Sequence, residues 1–475
     1  MFLGRACIMR ALVDGFPRVW QHDAIANSNL SVKYWLTSKH NHKIYGENDC
    51  VFHDDGLSLS GRRAPAEVSY REKYLPDKFY CDNKNLIDIV EKMLRLRVYN
   101  YSKINSYIYK DQSTLRRFIF KEISYWDYVL KKYKIEIVVH EAMPHTHDSY
   151  IIYYLAKINN IKTMIFHRAS DGISMRFFLA ESMDDLTPIR VIDSDDRNRS
   201  KPKRNAGPPV YSDYGKDNPW NQNVYISDVL KGIAKIIKNP FVFAVTFPKK
   251  FSILVERLKL ALVRFIYKLE YRFLCTDTLP NKKIIYFPLH VRPEDSSYPV
   301  GGNFEDIIYC IEYIRGKIDD DVIIAIKEHP NQRYLDGNMY FGYYRELMKH
   351  KNIILLDQKL TSDEIIDKCN IVMTTNGQTG WECLLKDKPV VLFATAWYTD
   401  FPYVFFVDDV DVMSLINGDV HVDREKVDEF YSTYLSSSYP GTTNLVVEHA
   451  LDISMEDNIA SISGAINEKV SEWKE

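Results

Sequence analysis

Between residues 281 and 400, short apolar runs alternate with longer segments of mixed polarity. The runs within 283–290, 321–326, 352–357, 370–374 and 389–394 are nearly continuous in Ile, Val, Leu and Phe. Such runs are typical of strands that are buried on both faces of a parallel sheet. The segments between them repeat apolar residues at i, i+3 and i+4, which predicts helices. The alternation indicates a Rossmann-like α/β domain.

The first half of the chain is less regular. Residues 133–172 repeat the order strand, loop, helix, strand and loop, which predicts a second α/β unit. The stretch 197–220 is rich in Pro, Gly and charge, as exposed loops are. Residues 247–274 then form a predicted amphipathic helix with a basic face. We favour a helix between the domains with a solvated face, and attachment to an anionic membrane surface is the alternative.

Composition narrows the function without naming it. The chain has 475 residues, with 62 Lys and Arg against 64 Asp and Glu, so no global field favours nucleic acid as a partner. Seven cysteines without C-x-x-C spacing favour reduced thiols over disulfides or zinc. Arginines interrupt the apolar runs of the first 20 residues, so we predict no secretory signal and no spanning helix. We expect a cytoplasmic protein, peripheral on the inner face of the plasma membrane if residues 247–274 bind lipid.

Residues 327–330, Lys-Glu-His-Pro, directly follow a predicted strand. In a parallel α/β sheet, ligands bind beyond the carboxyl ends of the strands. Lys327 supplies a point charge and His329 a donor that can become cationic, which suits a phosphate. Pro330 forces the chain to turn at that edge. A structural turn with solvated charges is the alternative.

A second strand end carries residues 374–380, Thr-Thr-Asn-Gly-Gln-Thr-Gly, before a helix. Hydroxyls, glycines and N–H groups at a helix start favour phosphate binding. As an alternative, Thr379 and Glu382 have the spacing of a capping box. We expect the two strand ends, near 329 and 377, to be neighbours and to hold one phosphate together. No G-x-G-x-x-G opens the first unit and no P-loop is present, which disfavours hydride transfer and P-loop chemistry.

The segments 286–302, 326–330 and 374–394 resemble the capsule polysaccharide biosynthesis family of bacterial glycosyltransferases. Its members have the GT-B fold, in which two Rossmann-like domains face each other across a cleft. The segments are also similar to the HP and Ser/Thr motifs of bacterial sialyl- and Kdo-transferases, whose donors are CMP-sugars. The resemblance covers about 281–400 well and the first half only loosely. It implies that the protein is α/β with the GT-B fold.

The resemblance also implies a donor site. It assigns the donor phosphate to Lys327, His329 and Pro330, the phosphate-binding turn to Thr375, Gly377, Thr379 and Gly380, and the nucleotide ribose to Glu382. It places His290, Arg292 and Glu294 at the cleft near the donor. Asn376 and Gln378 lie in the same turn and complete the predicted donor-binding set.

A catalytic base is expected from the opposite domain, where the acceptor hydroxyl approaches. Residues 138–150 end a predicted strand with His140, Glu141, His145, His147 and Asp148. A carboxylate or an imidazole there is able to take the acceptor proton. Glu141 is our first choice and His145 a further candidate. Zinc binding by His145, His147 and Asp148 is an alternative without a fourth ligand, and we predict no metal site.

Asp171 is the second choice for the base. It stands in an Asp-Gly pair after the apolar run at 162–167. The Asp-Gly pair at residues 55 and 56 is better explained as a turn.

We expect an acceptor-side domain at 1–278, a nucleotide-sugar-binding domain at 279–425 and a helical tail at 426–475 that packs back across the junction. The predicted function is metal-independent, cofactor-free glycosyl transfer. The donor is a CMP- or UDP-linked sugar, and the acceptor is a growing surface polysaccharide or glycolipid, as in capsule or lipopolysaccharide assembly. We expect inversion at the anomeric carbon. The alternatives are a sugar-nucleotide epimerase, a CDP-polyol phosphotransferase and a non-catalytic scaffold.

Overall fold

The computed structural model describes residues 8–37, 50–54, 75–98, 112–171, 174–189, 262–263, 265–291, 298–329, 332, 340–444 and 451–474. The strands are β1 (Met9–Asp14), β2 (Leu30–Thr37), β3 (Val51–Asp54), β4 (Ile137–His140), β5 (Lys162–Ser170), β6 (Met175–Ala180), β7 (Ile284–Pro288), β8 (Ile323–Lys327), β9 (Ile353–Leu355), β10 (Ile371–Thr374), β11 (Val390–Leu392), β12 (Val404–Phe406) and β13 (Tyr439–Pro440).

The helices are α1 (Val19–Ala26), α2 (Asp77–Asp82), α3 (Lys84–Val98), α4 (Gln112–Lys132), α5 (His147–Ile158), α6 (Ile307–Arg315), α7 (Tyr343–Leu347), α8 (Ser362–Lys368), α9 (Gln378–Leu385), α10 (Val412–Asn417), α11 (Arg424–Ser437) and α12 (Met455–Glu472). Residues 265–274 are also helical, and a 3-10 turn at Gly302–Glu305 precedes α6. Helix α8 is capped by Thr361, whose side chain accepts from the Glu364 N–H at 3.2 Å.

The first sheet has the strand order β13-β6-β5-β4-β1-β2-β3. The strands from β5 to β3 are parallel, whereas β6 and β13 form an antiparallel edge. One face packs on α4 and α5 through Trp126, Ile151 and Val138. The other face packs on α12, where Ile462 and Ile466 are buried. The end of the chain therefore returns to the first sheet and covers it.

The second sheet has the order β12-β11-β10-β7-β8-β9, and every pair in it is parallel. All five residues of β8 are buried, as a strand covered on both faces requires. Because both sheets follow βαβ order with helices on their faces, the prediction of two Rossmann-like domains is confirmed. The predicted adjacency of the strand ends near 329 and 377 was wrong, since β7 lies between β8 and β10.

The two domains meet at the carboxyl ends of their parallel strands. Asp171 follows β5, and its backbone oxygen accepts a hydrogen bond from the Trp381 indole in α9 at 3.0 Å. On the other side, Lys92 of α3 forms an ion pair of 3.1 Å with Glu305. Two sheets whose carboxyl edges face each other are the arrangement of the GT-B fold.

Two predicted features lie wholly or partly outside the described residues. The loop predicted at 197–220 is one of them. The helix predicted at 247–274 is described only at 262–263 and 265–274, where Tyr267 and Tyr271 pack into the second domain. Within the described ranges, no helix is both long and apolar enough to cross a bilayer.

Candidate functional site

The residues at the end of β8, from Lys327 onward, point in different directions because side chains alternate along a strand. Lys327 is buried, and its ammonium donates to the backbone oxygen of Leu360. Burial lowers the pKa of Lys327, whereas the charges of Glu364 and Glu382 oppose that shift. This ammonium is held by a carbonyl and nearby carboxylates. Its placement differs from that of the direct phosphate ligand expected from the sequence.

Glu328 turns to the opposite face of the sheet. Its carboxylate accepts hydrogen bonds from the Tyr344 hydroxyl and, at 3.2 Å, from the Gln358 amide. Burial raises the pKa of this carboxyl. Glu328 therefore anchors the sheet to α7 and belongs to the core of the domain.

His329 follows β8 and lies beside the carboxyl end of the neighbouring strand β7. Burial, together with the charge of Lys327, lowers the pKa of His329 to about 4. His329 also lowers the pKa of His290, which follows β7. The two imidazoles are thus near each other and neutral at pH 7. Of the three described residues in the Lys-Glu-His-Pro motif, His329 is the one that lies near His290.

His290 connects the end of β7 to the turn after β10. Its Nε2 atom accepts the Thr375 N–H at 3.1 Å and lies 3.0 Å from the Thr374 hydroxyl. A backbone N–H is always a donor, so Nε2 carries no proton and Nδ1 does. Burial is the main cause that lowers the pKa of His290 to about 4. The ring is a neutral donor at Nδ1.

The turn after β10 is built around Gly377 and leads directly into α9. The Thr374 hydroxyl accepts the Gly377 N–H at 3.2 Å. A Cβ on Gly377 would lie 3.0 Å from both the His290 ring and the Thr374 hydroxyl, so glycine allows the turn to pack on the imidazole. Gly377 is the N-cap of α9 and has no side-chain cap. The helix thus presents its N-terminal dipole beside His290.

Gly380 has a different role from the one predicted. It is buried, and a Cβ there would lie 2.9 Å from Cζ of Tyr398 and 3.0 Å from Val390. Its N–H already bonds to the Gly377 oxygen at 3.1 Å. This glycine lets α9 pack on the sheet, and its N–H is not directed at a phosphate.

Glu382 lies one turn into α9 and is half-buried. No capping box forms with Thr379, since Gly377 and not Thr379 is the N-cap. Burial and the charge of Asp363 raise the pKa of Glu382 to about 7, although Lys327 acts in the opposite sense. The alternative in which Glu382 serves only as a cap is therefore wrong.

Other donor-site predictions fall at the rim of the turn. Asn376 donates to the Thr395 oxygen at 3.4 Å, and the Gln378 side chain accepts from the Trp397 indole at 3.2 Å. Thr379 is half-buried in the first turn of α9. Arg292, Glu294 and Pro330 lie outside the described residues.

Glu141 lies at the carboxyl end of β4 in the opposite domain. Its Oε2 accepts the Phe16 N–H at 2.7 Å, and its Oε1 accepts the Gln21 amide at 2.8 Å. Burial raises the pKa of Glu141 to about 7. Gly15, with φ of +93°, packs directly on this carboxylate. A carboxyl group with this pKa is suited to exchange a proton near neutral pH.

The neighbours of Glu141 form a polar edge on the first sheet. His140 is buried, and its Nδ1 lies 2.7 Å from a carboxylate oxygen of Asp14 at the end of β1. His145 is half-buried, and its Nδ1 lies 2.7 Å from the Met143 oxygen. The sequence prediction did not include Asp14, Gly15 or Gln21. The Asp-Gly pair after β1 was the signal available for the first two.

Asp171 does not fit the role of a base. The residue is 2% exposed, and its carboxylate accepts from the Tyr431 hydroxyl and from the Ser174 N–H at 2.8 Å. The Asp171 carboxylate is thus occupied by hydrogen bonds within the protein. Asp171 instead fastens the end of β5 to α9 and α11, and the sequence-based assignment is corrected.

The zinc alternative also lacks a suitable geometry. Asp148 accepts hydrogen bonds from the Thr146 hydroxyl at 2.5 Å and the Ser149 N–H at 3.0 Å. His147 is buried with its ring against Phe118. Within the part of the chain that the structure describes, no three His, Cys, Asp or Glu side chains are grouped to hold a metal ion.

A comparison with known protein families finds a match for most of the second domain. Residues 275–401 match the family model described as "Capsule polysaccharide biosynthesis protein". The match contains β7 to β11, His290, His329 and the turn before α9. The resemblance predicted from the motifs is confirmed over this segment. A search of curated protein sequences finds no match to the chain.

Three solved structures illustrate the similarity at the level of the whole chain. The beta Kdo 2,7 transferase of Thermosulfurimonas dismutans KpsC is 13% identical, with 75% of this chain and 90% of that chain covered and a TM-score of 0.31. The beta Kdo 2,4 transferase of the same KpsC is 10% identical, with coverages of 70% and 88% and a TM-score of 0.31. A UDP-GlcNAc 2-epimerase from Neisseria meningitidis is 14% identical, with coverages of 98% and 100% and a TM-score of 0.20. At these scores the three structures carry no argument about function, which is argued from the chain's own residues.

Proposed function

We propose that the protein is a glycosyltransferase of surface polysaccharide assembly. It transfers a sugar from a CMP- or UDP-linked donor to a growing polysaccharide or glycolipid, without a metal ion or a cofactor. The match of residues 275–401 to the capsule biosynthesis family supports the process. The observation that carries the chemistry is the contact of the His290 ring with the turn at Thr374, Thr375 and Gly377.

This group suits the phosphate of a nucleotide. His329 and the Nδ1–H of His290 supply side-chain donors, and the start of α9 supplies the positive end of a helix dipole. In the absence of an anion both imidazoles are kept neutral by burial. An anion nearby favours the charged form of an imidazole, so phosphate binding raises the pKa of His329. The site therefore gains positive charge as the donor binds.

In the proposed reaction, Glu141 accepts the proton of the acceptor hydroxyl. The hydroxyl oxygen forms a bond to the anomeric carbon while the bond from that carbon to the phosphate oxygen breaks. Attack from the side opposite the phosphate inverts the anomeric configuration. The negative charge that develops on the departing phosphate is stabilised by His329, His290 and the N-terminus of α9. Glu382, with a pKa near 7, is proposed to accept a hydrogen bond from the ribose.

Nucleotide release with and without an acceptor tests this proposal. Purified protein is incubated with CMP- and UDP-sugars in the presence or absence of capsular oligosaccharide. We expect release to require the acceptor. We expect Glu141→Gln to lower kcat by about 100-fold or more, the usual contribution of a general base, while donor Kd changes little. Conversion of the donor into an epimer without acceptor identifies an epimerase instead, and no turnover with weak nucleotide binding identifies a scaffold.

A further inference from the structure

An exposed apolar patch lies on the second domain, away from the strand ends. Nine large hydrophobic side chains of the described residues are exposed, and five of them lie in two segments, the helical residues 262–263 and 265–274 and the residues just before α7. These five side chains, which we call the apolar patch, are Leu262, Phe265, Phe273, Tyr340 and Phe341. Single exposed hydrophobics are normal on a protein surface, whereas a cluster indicates an interaction site.

The helical residues 262–263 and 265–274 are apolar on two opposite sides. Tyr267 and Tyr271 are buried in the core of the second domain. Leu262, Phe265 and Phe273 share the other side at i, i+3 and i+11, with exposures of 58%, 60% and 83%. A helix that only covers its own domain needs one apolar side and turns polar residues to water. The described residues of the second domain leave this second apolar side exposed.

The two segments pack against each other. The Tyr267 and Tyr344 rings are 4.7 Å apart between centroids. The Gly342 N–H donates to the Glu270 carboxylate at 3.1 Å. These contacts dock α7 against the helix, so Phe341, which precedes Gly342, lies close to the helix.

Basic residues flank this surface, and its carboxylates are turned inward. Lys268, Arg272 and Lys349 are exposed, and Arg345 lies with its guanidinium 5.5 Å from the Phe341 ring. Glu270 is 6% exposed and pairs with Arg345 at 3.4 Å. Glu346, which is half-buried, accepts from the Tyr340 hydroxyl at 2.6 Å. The exposed charge around the apolar patch is positive.

We infer that the apolar patch binds the surface of an anionic lipid bilayer. Aromatic and aliphatic side chains enter the boundary between headgroups and acyl chains, while flanking Lys and Arg contact the anionic headgroups. A second copy of the chain is disfavoured because the exposed charge around the patch is positive, and two such surfaces would repel each other. The inference does not depend on the proposed sugar transfer.

Vesicle sedimentation with the full-length protein tests the inference. The probes are phosphatidylcholine vesicles with and without phosphatidylglycerol, at low and high salt. We expect binding only to the anionic vesicles, and weaker binding at high salt because screening reduces the electrostatic part. The double variant Phe265→Ser/Phe273→Ser is expected to lower the partition coefficient by about tenfold or more, and Lys268→Glu/Arg272→Glu by a similar factor.

The matched control is Val19→Ser/Ile158→Ser, which removes two side chains exposed at 54% and 43% elsewhere on the chain, and it should bind like the wild type. Circular dichroism and Tm establish that each variant is folded. If the double variant is unfolded, Phe273→Ser alone replaces it. The inference is overturned if the wild type ignores anionic vesicles, if the patch variants bind as well as the wild type, or if the patch instead mediates a dimer seen by light scattering.

Discussion

The Nε2 atom of His290 accepts a hydrogen bond from the backbone N–H of Thr375 at 3.1 Å. This bond ties the end of the central strand β7 to the turn that opens α9. It also fixes the tautomer, so that the Nδ1–H of the ring is available as a donor. One buried imidazole therefore orders the turn and forms part of the proposed donor site.

Replacing His290 separates these two roles. His290→Ala removes the acceptor for the Thr375 N–H and leaves a cavity, so we expect the free energy of unfolding to fall by about 2 to 4 kcal/mol. His290→Gln offers an amide oxygen as an alternative acceptor and should lose less. Chemical denaturation of both variants measures the difference. Equal stability of His290→Ala and the wild type would contradict the role given to this bond.

His290 should also make stability depend on pH. Burial lowers its pKa from 6.5 to about 4, so between these values the unfolded chain binds a proton that the folded chain does not. The free energy of unfolding therefore falls as pH drops from 6.5 to 4 and is unaffected above 6.5. His290→Gln should flatten this slope, by about 1 to 3 kcal/mol over the window. Urea titrations at several pH values compare the wild type with His290→Gln. Glu141 and Glu382, whose raised pKa values act on stability in the opposite sense, are present in both proteins, so their contribution cancels in the difference.

Gly380 should tolerate no side chain. A Cβ there would press on Tyr398 and Val390, and we expect Gly380→Ala to cost about 1 to 3 kcal/mol of stability. Tyr398→Phe removes the hydroxyl nearest to this position and should restore part of the loss in the double variant. Gly464→Ala in α12 is the control, since no atom lies within 4 Å of its Cβ, and it should be stabilising by about 0.5 to 1 kcal/mol. Thermal unfolding in which both glycines behave alike would refute the packing argument.

The contact between Asp171 and Tyr431 should couple the two domains. The Tyr431 hydroxyl donates to this buried carboxylate across the domain junction. We expect Asp171→Asn and Tyr431→Phe each to destabilise the protein, with a coupling energy of about 1 to 3 kcal/mol in the double-mutant cycle. A coupling near zero would show that the hydrogen bond is unimportant. If Asp171 were instead the base, Asp171→Asn would abolish turnover in a fully stable protein.

The periodic pattern was sufficient to predict the second sheet, because strands such as β8 are buried on both faces and appear as continuous apolar runs. In the first domain it indicated only the unit at 133–172, which contains β4, α5 and β5. It could not predict where the polar residues after each strand point. Lys327 and Glu328 enter opposite sides of the sheet, and their partners Leu360 and Tyr344 lie in other elements.

The same limit applies to the opposite domain. Asp171 was a candidate for the base because it follows an apolar run, whereas its buried partner, Tyr431, lies 260 positions later in the chain. Glu141 was predicted as the base from its position after a strand. The Phe16 N–H that holds its carboxylate is 125 positions away in the chain. This contact depends on the pairing of β1 with β4, which the sequence pattern does not show.

The central claim is that the ends of β8 and β10, joined through His290, hold the phosphate of a nucleotide sugar. Isothermal titration calorimetry with CMP and UDP, in buffers of different ionisation enthalpy, tests it directly. The account predicts that one nucleotide binds with proton uptake, and that His329→Ala weakens binding by about tenfold or more, as loss of a charged hydrogen bond does. The control His350→Ala, at a half-buried histidine whose Nε2 lies 3.5 Å from Glu312, should bind normally. Failure of either nucleotide to bind, or unchanged affinity and proton uptake in His329→Ala, would contradict the account.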